Sequence, residues 1–141
     1  IKKGKPRVVK YIGYPANYGM IPQTLLPKKL GGDGDPLDAI VLGPPIARGS
    51  VAQARLIGVL KLLDDGEQDD KLIAVNQDSP FFKVKSIKKL NDNFPGITEI
   101  LEIWFTNYKG SGEMQSKGFA EIEEAKSILQ KASNYFSKHN E

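Results

Sequence analysis

The chain contains no cysteine and a single histidine, His139, among its 141 residues. The absence of cysteine excludes disulfide bonds and thiolate metal sites, and it fits a reducing compartment. One histidine leaves almost no possibility of a histidine-based zinc site or a Ser–His–Asp triad. No run of apolar residues approaches the roughly 20 that a membrane-spanning helix needs, so no membrane partner is expected. Any chemistry must therefore use the side chains of Asp, Glu, Lys, Arg and Tyr.

The common nucleotide-binding signatures are also absent, because the sequence has neither G-x-x-x-x-G-K-S/T nor a G-x-G-x-x-G that opens a helix. A polyanionic ligand would have to be held by side chains and metal ions. The formal net charge is +3, but basic residues crowd the start of the chain while acidic residues crowd positions 33–38 and 64–70. A basic patch beside an acidic cluster repels a phosphodiester backbone unless metals intervene, so nucleic acid is not expected as a partner.

Apolar periodicity predicts several strands followed by two helices. The predicted strands lie at residues 7–12, 39–42, 51–63, 71–75 and, more briefly, 81–85, with a hairpin at 64–70. The apolar stripe from Ile97 to Tyr108 predicts a helix that stops at Gly110, a loop follows at 110–118, and a second helix is predicted over about residues 121–137. This order predicts an α+β fold, mainly β, most simply a small barrel with helices packed outside, formed by residues 1–141 as a single domain.

Three carboxylates fall within residues 33–38 (DGDPLD): Asp33, Asp35 and Asp38. Like charges repel, so a folded protein keeps such a group together when a cation neutralises it, and carboxylate oxygens suit Mg²⁺ or Mn²⁺. An EF-hand is excluded, because Leu37 and Pro44 occupy positions that require oxygen ligands. A phosphatase with a covalent aspartate fits poorly, since glycines precede the motif. The remaining alternative is a solvated acidic turn.

A second group comprises Asp64, Asp69 and Lys71. The two aspartates flank the predicted hairpin connection and are expected to face each other, while Lys71 should share a strand face with Asp69. A metal–anion site and an exposed, aspartate-rich hairpin tip remain equal alternatives here.

A third group is Tyr108 and Lys109, at the end of the first predicted helix. Tyr108 continues the apolar stripe, so its ring is expected to be buried. Lys109 lies beside the stripe and would either reach into a neighbouring cleft or compensate the helix dipole. Arg7 similarly is either a bidentate phosphate ligand or a strand-surface arginine.

Together these segments resemble family I soluble inorganic pyrophosphatases of the bacterial type. The resemblance is carried by residues 33–39 (DGDPLDA), 14–22 (YPANYGMIP), 58–61 (GVLK) and 69–72 (DDKL), and by the Tyr108–Lys109 pair. It implies a five-stranded, OB-like β-barrel with two flanking helices near the C-terminus. It also implies Mg²⁺-dependent hydrolysis of pyrophosphate to two orthophosphates by direct in-line attack of a metal-activated water, with Mn²⁺ or Zn²⁺ as substitutes.

The resemblance assigns roles residue by residue. Asp33, Asp38, Asp64 and Asp69 would be metal ligands. Asp35 would accept the proton from the attacking water, with Tyr18 supporting that region. The residues that would grip the phosphate oxygens are Arg7, Lys71, Tyr108 and Lys109.

The same resemblance places two glutamates and a lysine upstream of the Arg7 position, so an N-terminal segment is expected to be missing and the chain alone to bind metal weakly or not to turn over. It further implies a cytoplasmic homo-oligomer, with a hexamer favoured. The alternative function is a non-catalytic, OB-like domain that binds metals or anions. Phosphate release from pyrophosphate separates the two.

Overall fold

The computed structural model describes residues 10–27 and 34–139. In these ranges the chain forms β1 (Asn17–Met20), β2 (Asp38–Leu42), β3 (Ala54–Asp64), β4 (Glu67–Gln68), β5 (Lys71–Asn76), α1 (Ile87–Asn93), α2 (Ile97–Asn107), β6 (Met114–Glu121) and α3 (Ile122–His139). A short 3₁₀ helix, Pro80–Lys83, precedes α1. Within the described ranges, no helix combines the length and the apolar character needed to cross a membrane.

The strands form one mixed sheet. β1 pairs antiparallel with β2, β2 pairs parallel with β5, and β3 pairs antiparallel with both β5 and β6. β4 continues the register of β5 along β3, because Leu63 faces Gln68 and Leu60 faces Lys71. β4 and β5 are therefore one arm interrupted at Asp69 and Asp70, and the described residues form six strands where five were expected. The described strands form an open sheet rather than a closed barrel, with β1 and β6 at its edges.

A two-residue turn joins β3 to β4. Asp65 and Gly66 have φ angles of 50° and 85°. Both angles are positive, as in the type I′ turns that match the twist of antiparallel strands. This tight turn confirms the predicted hairpin and orients the acidic segment that follows it.

Alternation along the strands buries both faces of the sheet. On one face, Ile40 and Ile73 join residues of α1 and α2 in a core cluster. On the other face, Val59 and Leu72 pack with α3. Because side chains in a strand alternate between faces, adjacent residues such as Leu72 and Ile73 belong to different layers. The sheet is thus held between helices on both sides, and its strand ends near α2 stay open.

The predicted helices are confirmed as α2 and α3, but other predictions need correction. The strand predicted at 81–85 is wrong, because Ser79 caps a 3₁₀ helix there through a hydrogen bond from the Phe81 amide. The loop predicted at 110–118 is too long, since β6 begins at Met114. Helix α1 was not predicted. Of the strand predicted at 7–12, residues 7–9 lie outside the described residues and 10–12 are not in a strand.

Candidate active site

A cleft of about 400 Å³ opens where β2 and β5 begin and β3 ends, beside the C-terminus of α2. Its lining comprises Tyr14, Tyr18, Met20, Asp35, Pro36, Asp38, Asp64, Asp69, Lys71, Tyr108 and Lys109. Every site residue predicted from the sequence that falls in the described ranges is in this set. The other two, Arg7 and Asp33, lie outside the described residues. The fold therefore gathers residues that are widely separated in the sequence into one cleft.

Lys71 lies at the centre of this arrangement. The parallel register makes it the direct partner of Asp38 on the neighbouring strand. Its side chain is buried, and Nζ donates hydrogen bonds to Asp38 Oδ2 at 2.9 Å, to Asp69 Oδ1 at 2.9 Å and to Tyr18 Oη at 2.8 Å. All three ammonium protons are thus used. The predicted sharing of a face by Lys71 and Asp69 is confirmed by their ion pair.

Burial and the neighbouring charges shift the pKa of Lys71 in opposite directions. Burial alone would lower the pKa of Lys71, but the negative groups around it outweigh that effect and raise the pKa above its ordinary value. Burial also raises the pKa of Tyr18 well above its ordinary value. Tyr18 is therefore a neutral phenol at physiological pH, and the carboxylates of Asp38 and Asp69 are what keep Lys71 protonated.

A second ion pair, between Lys109 and Asp64, lies in the lining of the same cleft. Asp64, the last residue of β3, accepts a hydrogen bond from Lys109 Nζ at 2.5 Å. Lys109 follows α2 closely, so the prediction that it reaches a neighbouring cleft agrees with its position. The expectation that Asp64 and Asp69 face each other is wrong in detail. Asp64 pairs with Glu67, while the Asp69 amide donates to the Leu62 carbonyl at 2.9 Å. The two aspartates still line the same cleft.

Asp35 reaches the cleft from the loop before β2. The Gly34 amide donates to the Leu26 carbonyl at 2.9 Å, and Gly34 adopts a positive φ of 88° that favours glycine. Asp35 follows this turn and is solvent-exposed at the cleft. Hydrogen bonds of the preceding backbone therefore fix the point at which Asp35 enters the lining of the cleft.

Aromatic rings form the remaining wall. Tyr14 and Tyr18 stack with ring centroids 5.0 Å apart, and Trp104 lies between Tyr14 and Tyr108. The sequence showed Trp104 only as part of the apolar stripe of α2. Its spacing of four residues from Tyr108, one helical turn, is the signal that places the two rings together.

The chemistry of the donor set fits a hard divalent cation. Asp38 and Asp69 both direct an oxygen at the same ammonium group, so two carboxylates already converge on one positive charge. Oxygen-only donors are what Mg²⁺ and Mn²⁺ prefer. Among residues 10–27 and 34–139, however, no three acidic or histidine side chains form a metal-binding group. Any third carboxylate ligand at this point must come from a rearrangement or from outside the described residues, where Asp33 lies.

Comparison with known proteins gives a consistent picture. A family model described as inorganic pyrophosphatase matches residues 2–137. The inorganic pyrophosphatase of Pseudomonas aeruginosa is 39% identical over 129 residues, covering 89% of this chain and 71% of that protein. The mitochondrial inorganic pyrophosphatase of Saccharomyces cerevisiae is 38% identical over 125 residues, covering 77% of this chain but only 40% of that protein. The chain thus spans 40% of the length of the yeast protein and 71% of the length of the Pseudomonas aeruginosa protein.

Solved structures agree with these sequence matches. The inorganic pyrophosphatase of Helicobacter pylori superposes with a TM-score of 0.79 at 35% identity, covering 93% of this chain and 77% of that one. An N-terminally truncated vacuolar soluble pyrophosphatase of Trypanosoma cruzi, solved in complex with PPi, gives a TM-score of 0.89 at 28% identity, covering 98% of this chain and 58% of that one.

Proposed function

Because this chain belongs to the inorganic pyrophosphatase family, we propose that the protein hydrolyses inorganic pyrophosphate to two orthophosphates with Mg²⁺ as its metal. Mn²⁺ and Zn²⁺ are the proposed substitutes. Water attacks one phosphorus atom directly and in line with the leaving phosphate, and no phosphoenzyme forms. The sequence resemblance, the family match and the similar bacterial proteins support this function.

The charge of the cleft is the observation that carries the metal requirement. Its described lining holds four aspartates, Asp35, Asp38, Asp64 and Asp69, against two lysines, Lys71 and Lys109, so its formal charge is −2. Pyrophosphate is itself a polyanion, and the unaided cleft would repel it. A phosphate-binding role for these residues therefore requires divalent cations to enter with or before the substrate.

The carboxylates of Asp38, Asp64 and Asp69 are the residues proposed to hold such ions, together with Asp33. When bound, Mg²⁺ supplies charge neutralisation and lowers the pKa of a coordinated water, which provides a nucleophile at neutral pH. Asp35 is proposed to accept the proton of the attacking water at a carboxylate oxygen.

The cationic and phenolic groups are proposed to bind the phosphate oxygens. Lys109 and Tyr108 line one wall, and Arg7 is assigned the same role from the sequence. Lys71 has all three protons engaged, so it contacts phosphate only if one of its bonds to Asp38, Asp69 or Tyr18 opens. Tyr18, a neutral phenol bonded to Lys71, keeps that ammonium group oriented toward the cleft.

We further infer that residues 1–141 form a single domain and that the protein acts in the cytoplasm as a homo-oligomer, with a hexamer favoured. The resemblance to bacterial family members supports these inferences. Light scattering coupled to size-exclusion chromatography measures the oligomeric state directly, and a monomer across the micromolar range would contradict it.

The test of function is phosphate release from pyrophosphate by the purified full-length protein, with and without Mg²⁺. We expect activity that requires Mg²⁺ and falls roughly 10²- to 10⁴-fold in Asp35→Asn, since loss of a general base typically costs that much. Asp92→Asn is the matched control, because Asp92 is exposed on α1 and is not among the residues that line the cleft. Binding of Mg²⁺ without any turnover by the full-length protein would favour the alternative, non-catalytic function.

A further inference from the structure

Trp104 forms the buried support behind the wall of the cleft. It is 3% exposed and is not among the lining residues, but it contacts two tyrosines that are. Its ring stacks on Tyr108 with centroids 4.7 Å apart and planes 9° from parallel, and it lies 4.7 Å from Tyr14 at 39°. These are the separations at which aromatic pairs attract beyond simple area burial.

The indole ring is itself held in place from two sides. Its Nε1–H donates a hydrogen bond to the Ile12 carbonyl at 3.0 Å, across 92 residues of sequence. The indole also packs against Phe105, with ring centroids 4.9 Å apart and planes at 72°. A buried indole needs a partner for its N–H, and here that partner also fixes the rotation of the ring.

Tyr108 needs such support because of its position. It is the C-cap residue of α2, and its amide bonds the Trp104 carbonyl at 3.0 Å as the last turn of the helix. Helix ends lack further intrahelical bonds and fray easily. The flat stack on Trp104, one turn earlier, limits where the Tyr108 hydroxyl can point.

We propose that Trp104 is a positioning residue for phosphate binding, which acts by stacking on Tyr108 and so holds the Tyr108 hydroxyl toward the cleft. This rests on the proposed function, in which Tyr108 binds a phosphate oxygen. Leu101 shows what a purely structural neighbour looks like: it is 2% exposed on the same helix and belongs to the core without lining the cleft.

The first test is a double-mutant cycle in pyrophosphate hydrolysis with saturating Mg²⁺. Trp104→Met fills much of the space but cannot stack flat, and we expect it to raise KM roughly five- to tenfold with kcat changed by less than about twofold. Trp104→Phe keeps a stacking ring and should stay within about threefold of wild type. In a Tyr108→Phe background, Trp104→Met should raise KM by no more than about twofold, because the hydroxyl it positions is gone.

Three results would each overturn the proposal. They are an equal rise in KM on Trp104→Met in the wild-type and Tyr108→Phe backgrounds, an unchanged KM in Trp104→Met, and a rise in KM in Trp104→Phe as large as that in Trp104→Met. Leu101→Ala is the control: it should lower thermal stability and leave KM unchanged. An inactive full-length wild-type protein would refute the proposed function instead, which a loss confined to the Trp104 variants would not do.

A second measurement is made on the wild-type protein, with Tyr108→Phe as its comparison. Trp104 is the only tryptophan of the chain, so its fluorescence reports on this stack. Titration of the wild type with inorganic phosphate in the presence of Mg²⁺ should change the emission in a saturable way, and Tyr108→Phe should weaken that change. An emission that stays constant while calorimetry shows phosphate binding would overturn the proposal.

Discussion

Replacing Lys71 with methionine tests the electrostatic core of the site. The substitution keeps an unbranched side chain but removes the positive charge that lies 2.9 Å from both Asp38 Oδ2 and Asp69 Oδ1. The lysine side chain is 3% exposed, and those of the two aspartates are 30% and 12% exposed. Removing one partner of a buried ion pair typically lowers the free energy of unfolding by about 3–5 kcal/mol. Because Asp38 retains access to water, we expect the lower end, about 3 kcal/mol, or a fall in Tm of about 10 °C.

The assay is urea unfolding followed by Trp104 fluorescence, with EDTA present so that no divalent ion replaces the lost charge. Lys61→Met is the matched control, because Lys61 pairs with Glu124 at 2.5 Å while the two side chains remain 32% and 43% exposed. Exposed pairs contribute about 0–1 kcal/mol. If Lys71→Met were no more destabilising than Lys61→Met, the three bonds of Lys71 would not be what balances the aspartates.

The pH dependence of this loss has a defined sign. The pKa of Lys71 is raised above its ordinary value, because the negative groups around it outweigh the effect of burial. A lysine with a raised folded-state pKa contributes fully below its unfolded pKa and loses the contribution only as pH rises through the folded-state value. The ionisation of Lys71 should therefore leave the difference in free energy of unfolding between wild type and Lys71→Met nearly unchanged between about pH 7 and pH 9.

Two further predictions concern the scaffold and are also read from urea unfolding. Gly58→Ala should lower the free energy of unfolding by about 1–3 kcal/mol, because a Cβ there would lie 2.4 Å from Ile87 Cγ1 and 2.6 Å from the Ala120 carbonyl oxygen. A neutral effect would mean that Ile87 of α1 does not lie this close to Gly58 of β3. Ser86→Ala should cost about 1 kcal/mol, since the Ser86 hydroxyl caps α1 by accepting the Lys89 amide at 3.0 Å. Ser86→Asp, which also caps, should restore most of that loss.

The sequence predicted elements best where periodicity was long and local. The stripe from Ile97 to Tyr108 became α2 with Leu101, Trp104 and Phe105 buried. Helix α1 was not predicted, because it has only seven residues and buries only Ile87 and Leu90, which are too few to show a helical period. Part of its N-terminal support is non-local, as the Glu121 carboxylate accepts the Ile87 amide at 2.8 Å from 34 residues away. The sequence of residues 87–93 alone cannot predict that hydrogen bond.

Strand β6 was missed for a related reason. Only four of its eight residues (MQSKGFAE) are polar, and they do not alternate with apolar ones; it is an edge strand that pairs on one side only, with β3. Its register also shifts between Lys61 and Leu62, so no simple alternation runs through it. The pairing partner, not the strand's own composition, decides its structure.

The site residues were predictable as a set, but their geometry was not. The sequence suggested that Asp64 and Asp69 face each other, whereas the Asp65–Gly66 turn pairs Asp64 with Glu67. The Asp-Gly dipeptide favours a two-residue turn, and that register follows from it. The bond between Lys109 and Asp64 joins residues 45 apart and depends on tertiary packing, which the sequence pattern does not contain.

The centre of the site depends on the same strand register that packs the core. Asp38 and Lys71 are the first residues of the parallel strands β2 and β5 and lie directly opposite each other. Two residues further along, Ile40 and Ile73 are also partners, and both are buried in the cluster that contacts α2. If the register of β5 against β2 shifted by one residue, Lys71 would point to the opposite face of the sheet, and Ile73 would leave the core cluster that contacts α2. The hydrophobic penalty against that slip is therefore what holds the charged pair together, so the apolar core of the sheet maintains the geometry of the cleft.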